Sequence, residues 1–174
     1  TTQFVYINML TTLTAKAANA FSPPFSAVNP EDVADGQRAV AGTFGLPNQD
    51  FTRLPFVDVT KPIITTNENA IRVAMINGGI LGAAYAHSDP DDDKDYLEEL
   101  DDFLDDFGDG KIACKDTPAQ TTLSIEDVMI YALELAQING NATTQSFFVS
   151  RLNDVRNGVI NCNLVPADPE KTDQ

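Results

Sequence analysis

Apolar residues recur at helical spacing through most of this chain, and the recurrences end at sharp breaks. Met9, Leu10, Leu13, Ala17 and Ala20 keep one such period, with Asn8 as its N-cap and Pro23-Pro24 as its stop. Asn29-Pro30-Glu31-Asp32 combines a capping side chain, a proline at the first helical position and acids in the first turn. It therefore predicts a helix running to about Phe44 with Gly45 behind it. Residues 46–66 hold Pro47, Pro55 and Pro62 and show no period, so they read as a long ordered loop. Thr66-Asn67-Glu68 opens a third helix, which carries Ile71, Ala74, Met75, Ile80 and Leu81 to about Ala86.

That third helix also carries Gly78, Gly79, Gly82, Ala83 and Ala84, small residues that let a neighbour approach closely, and it is expected at the centre. Residues 93–107 place Tyr96, Leu97, Leu100, Phe103, Leu104 and Phe107 on one face and acids on the other. Ser124–Ile138, with Asp127 three residues past the cap, and Thr143–Val155 complete the set. Residues 2–7 alone have β-branched and aromatic character and predict a short strand, offered to a preceding domain or a partner. The expected fold is all-α: a bundle of about six helices with a long Pro-containing loop and a short N-terminal strand. The expected divisions are 1–7 as strand or linker, 8–166 as the helical domain and 167–174 as a disordered polar tail.

Two segments echo each other. Leu104, Asp106, Gly110, Ile112 and Cys114 match Leu152, Asp154, Gly158, Ile160 and Cys162 at a constant offset, and Asp105 and Asp109 face Asn153 and Asn157. Equivalent turns ending in the chain's only two cysteines suggest two helix ends stapled by a Cys114–Cys162 disulfide, which belongs to an oxidising, exported setting. The alternative is two free buried thiols in a cytosolic protein. Asn141-Ala142-Thr143 is a glycosylation sequon, meaningful only in a eukaryotic secretory setting.

Charge narrows the partners. The formal net charge is −15, and residues 89–109 hold twelve acids against Lys94 alone. Such a chain is a poor nucleic-acid binder, because phosphate contacts need clustered Lys and Arg. No apolar run reaches the roughly 20 residues of a membrane span. Thr1 in the first position leads us to expect a processed chain, with a signal peptide, lipid anchor or neighbouring domain outside it.

The acidic run raises calcium as the one cofactor to weigh. In the window from Asp105 to Asp116, Asp105, Asp109, Gly110, Ile112 and Asp116 satisfy positions 1, 5, 6, 8 and 12 of an EF-hand loop, but Phe107 occupies position 3. Asp89, Asp91 and Asp93 lie near enough in sequence to add oxygens. The echoed copy has Leu164 at position 12 and cannot ligate, so the shared feature reads as a helix-ending turn. His87, the only histidine, is a general-base candidate without a Ser or Cys motif beside it, and reads better as a helix-end residue. Asp58 or His87 would mark a polar pocket if the 46–66 loop acted as a lid over a bound small molecule.

The phrase from Tyr6 to Ala15, the Phe44-Gly45-Leu46 stretch with Asp50, the small-residue helix at 70–86 and Asp109-Gly110-Lys111-Ile112 together resemble a helical module of exported bacterial lipoproteins and surface proteins. In those proteins the module follows a β-sandwich-like domain; here Met9 stands where the family phrase carries proline. The resemblance implies a non-enzymatic structural or protein-interaction module at the cell surface, in the periplasm or outside the cell. Its partner would be another protein or a second copy, engaged through residues 2–7. A calcium-binding module and a small-ligand carrier or enzyme are the alternatives.

Overall fold

The computed structural model describes residues 7–22, 27–88, 95–115, 122–162 and 164. The expected strand at 2–7 (Ile7 apart), the acids at 89, 91 and 93, Asp116 and the 167–174 tail lie outside these residues. Six helices fill the described chain: α1 (Met9–Phe21), α2 (Pro30–Phe44), α3 (Glu68–His87), α4 (Tyr96–Asp109), α5 (Ile125–Ile138) and α6 (Ala142–Arg156). A single 3-10 turn at Phe51–Arg53 interrupts the long loop, and there is no β-strand among the described residues. The fold is an all-α bundle.

Each helix starts where a side chain can take up its free amides. Asn8, Asn29, Asp95 and Ser124 each form a reciprocal capping box with the residue three positions on. Asn67 and Asn141 accept from Ala70 and Thr144 in the simpler arrangement. The α4 cap is therefore Asp95, and Glu98 and Glu99 are the acids of its first turn. Gly45 ends α2 in the left-handed region at φ 67°, a conformation that side chains with a Cβ resist.

The helices neighbour one another in the order α2, α1, α4, α3, α5, α6, with α3 touching α1, α4, α5 and α6. Close approach comes from glycine at two of these seams. A Cβ on Gly36 would lie 2.7 Å from the backbone nitrogen of Ala18, so α1 and α2 meet backbone to backbone. A Cβ on Gly79 would lie 2.6 Å from the carbonyl oxygen of Val128, and this seats α5 on α3. Between the seams sits an aromatic centre. Phe44 of α2 stacks on Phe107 of α4 with ring centroids 6.2 Å apart, and Phe103 meets Phe107 edge-on at 5.3 Å.

The apolar face of α4 is buried only at its C-terminal end. Phe103 and Phe107 are inaccessible, whereas Tyr96 and Leu97 in the first turn are exposed. Glu99, on the side expected to be solvated, is buried instead. The long loop is held by its own side chains. Asp50 bonds Thr52 and Arg53, Asp58 bonds Thr60 and Lys61, and Asn139 Nδ2 donates to the Val59 carbonyl at 3.2 Å.

Candidate functional site

The echoed segments carry the same hydrogen bonds. Lys111 N donates to Asp106 O and Gly110 N to Phe107 O; Val159 N donates to Asp154 O and Gly158 N to Val155 O. Both glycines take the left-handed conformation, at φ 68° and 70°, and both ends are Schellman turns. The exits then meet. Ile112 N donates to Cys162 O, Leu164 N donates to Gly110 O, and Cys114 and Cys162 are paired with Cα atoms 5.6 Å apart, as a disulfide requires.

This pole of the bundle also closes the start of α5. The carbonyls of Ala113 and Cys114 accept from Ile125 N and Glu126 N at 2.8 and 2.9 Å, so two free helix amides are satisfied by the segment that the cysteine pair anchors. Arg156 at the end of α6 reaches Glu126 at 2.7 Å. His87 Nε2, at the end of α3, lies 3.4 Å from Asp127 Oδ2. The same carboxylate oxygen accepts from Ser124 N at 3.0 Å and from Ser124 Oγ at 2.5 Å. Ser, Asp and His thus gather, but the carboxylate stands in the middle and the hydroxyl is fully buried. A nucleophile relay puts the imidazole next to the hydroxyl. What is built here is a helix cap with a histidine leaning on it.

Two of the acidic candidates, Asp105 and Asp109, fall on α4. Asp105 lies inside α4 and its carboxylate is bonded to Lys16 of α1; Asp109 is the last residue of α4. The first five positions of the 105–116 window are therefore helical. Among the described residues no group of three or more His, Cys, Asp or Glu side chains is placed to hold a metal ion. Asp106 has a different consequence: burial first, then the charges of Asp102, Asp109 and Asp105, raise its pKa above the ordinary carboxylate value. A carboxyl whose folded pKa is raised favours folding only while it is protonated, and that contribution disappears as pH climbs through the unfolded and then the folded value. Asp106→Asn is accordingly expected to melt higher than the parent at pH 7, and the gap should close as the pH falls below the unfolded carboxyl range near ~3.9. Paired thermal melts at the two pH values check this.

A cleft with room for a ligand lies elsewhere among the described residues. The 54–60 segment of the loop, the start of α1 and one stripe of α3 enclose a cleft of about 550 Å³. Its walls are mainly apolar, with Met9 and Ile7 on one side, Leu54, Phe56 and Val59 on another, and Val73, Ala74 and Leu81 along α3. Phe56 is 81 % exposed and Ile7 is 87 % exposed, so the mouth is lined by uncovered apolar side chains. Asn77 is the polar residue of the α3 stripe, and its Oδ1 is withdrawn from water without a hydrogen-bond partner. Asp58 also lines the cleft. Bonds from Thr60 and then Lys61 hold its carboxyl down at about 2, so it is anionic at every ordinary pH. His87 does not line the cleft.

Of the residues singled out from sequence, Cys114 and Cys162 come together and Asp58 lies in the cleft wall; Asp105 and Asp109 lie on α4, and Asp116 lies outside the described residues. Asn77, Phe56 and Leu81 were not marked. The signal for Asn77 was available: it is the one amide within the apolar stretch from Val73 to Ala86. No protein-family model matches this chain, and no curated protein or solved structure matches it either. Among the described residues no helix is long and apolar enough to cross a membrane.

Proposed function

We propose that this chain is a non-enzymatic binding module of an exported protein and that it binds through the α1–α3–loop cleft. The observation that carries the reading is the cleft itself: about 550 Å³ of mostly apolar space with Phe56 and Ile7 uncovered at its mouth. Exposed apolar collars of this kind are unfavourable in water unless something covers them. The walls are also pre-formed, because Asn139 pins Val59 to the bundle and the Asp58 turn fixes the residues beyond. A pre-formed site loses little conformational entropy when it is filled. The paired cysteines and the resemblance to surface-protein modules support export.

The test uses N-phenyl-1-naphthylamine, a neutral dye whose fluorescence rises in apolar sites. The parent protein is expected to brighten it with saturation near one dye per chain. Leu81→Asp, at a cleft position already 46 % exposed, should abolish the rise without changing the melting temperature. Val33→Asp, on α2 and 43 % exposed, should leave it intact. Equal brightening by all three proteins would remove the cleft from the function.

A further inference from the structure

Asn77 is out of place in a wall that is otherwise fit for hydrocarbon. A buried amide oxygen without a donor is unfavourable by about 1–3 kcal/mol, and native proteins rarely leave one unmatched. The oxygen belongs to a residue that lines the cleft on α3. The terminal torsion of an asparagine side chain is broad and roughly two-fold, so rotation of the amide can present Oδ1 to the cleft. Asp58 contributes a second constraint. It is a carboxylate on the opposite wall, and its partner Lys61 points largely into solvent. A ligand that brought its own negative charge would find no Lys or Arg among the residues lining the cleft and one carboxylate, Asp58, on its wall.

We infer that the cleft binds one uncharged amphiphile whose apolar body lies against Met9, Phe56, Val73 and Leu81 and whose O–H or N–H group donates to Asn77 Oδ1. The volume fits a single small molecule, since ligand sites typically enclose ~300–1,000 Å³. The inference rests on the binding reading above and gives it a ligand class: medium-chain alcohols and amides, with fatty-acid anions and pure hydrocarbons as poor fits.

Competition against bound N-phenyl-1-naphthylamine tests it on the intact chain. 1-Decanol supplies the donor, decyl methyl ether has the same body without one, and decanoate carries the charge. 1-Decanol is expected to displace the dye about tenfold more effectively than the ether, and decanoate to be the weakest of the three. In Asn77→Leu the alcohol and the ether should become equal while the dye still binds, since leucine keeps the branched shape at Cγ and removes the acceptor. Equal competition by alcohol and ether in the parent would overturn the pairing with Asn77 yet leave cleft binding standing. Stronger competition by decanoate would overturn the charge selection. A dimer in light scattering that dissociates when dye is added would assign the cleft to a second copy and sink the small-molecule proposal. Dye binding that Leu81→Asp does not weaken would sink the cleft reading on which the proposal depends.

Discussion

Phe107→Ala should lower the unfolding free energy by about 3–5 kcal/mol, the range for emptying a fully buried phenylalanine position. Phe107 has no accessible surface, stacks on Phe44 and takes Phe103 edge-on, so one ring joins α2 and α4 at the centre of the bundle. Truncation removes both ring contacts and leaves a void that the neighbours cannot close. The backbone of Phe107 also accepts from Gly110 N in the turn that leads to Cys114, so the turn should loosen with the core. Urea titrations of the parent, Phe107→Ala and Leu97→Ala decide the matter. Leu97 lies on the same helix but is 55 % exposed, and its truncation should shift the midpoint little. A loss under about 1 kcal/mol for Phe107→Ala would show that the aromatic centre contributes less than its burial implies.

The second large effect belongs to the cysteines. Cys114 and Cys162 are 48 residues apart in sequence, and closing a loop of that length stabilises by about 4 kcal/mol in the chain-entropy model. Here the bond also holds the carbonyls of Ala113 and Cys114 against the first amides of α5. The Cys114→Ala, Cys162→Ala double variant is therefore expected to unfold at markedly lower denaturant, with amides at the start of α5 exchanging fastest. Dithiothreitol should shift the parent toward the variant and leave the variant unchanged. Mass spectrometry of the native chain should show a gain of two hydrogens on reduction. Two free thiols before reduction would remove the staple and, with it, the main support for export.

Helix positions were legible because their ends are written in side-chain chemistry. Asn29-Pro30 and Gly45 bracket α2 within a residue of its observed limits, and Ser124 with Asp127 places the start of α5. The echo was legible too, since a Schellman turn demands a residue tolerant of positive φ and both copies supply glycine. The cleft was not. Its wall at 54–60 has no periodicity to read, and its shape depends on long-range bonds such as Asn139 to Val59, eighty residues apart. The small-residue stripe of α3 was read as one packing surface, but it has two sides. Gly78, Gly79 and Gly82 meet Leu135, Val128 and Tyr131 of α5, as that reading expects, whereas Val73, Ala74 and Leu81 line the cleft, with Gly78 at the border of the two. Helical spacing reports which residues share a face and is silent on whether a partner exists for it. The buried Glu99 has the same origin: polarity placed it outside, and the packing of α4 placed it inside.

The cysteine pair also makes α5 and α6 part of a closed covalent ring. A molecule drawn out by its two ends would transmit tension from Cys114 to Cys162 directly and bypass everything between them. Forty-eight residues of contour, about 160 Å at full extension, would stay hidden until the bond is reduced. Single-molecule pulling should therefore show a contour length shorter by that amount under oxidising conditions, with the cleft-bearing half, α1 to α3 and the loop, lying wholly outside the ring and yielding to force in full.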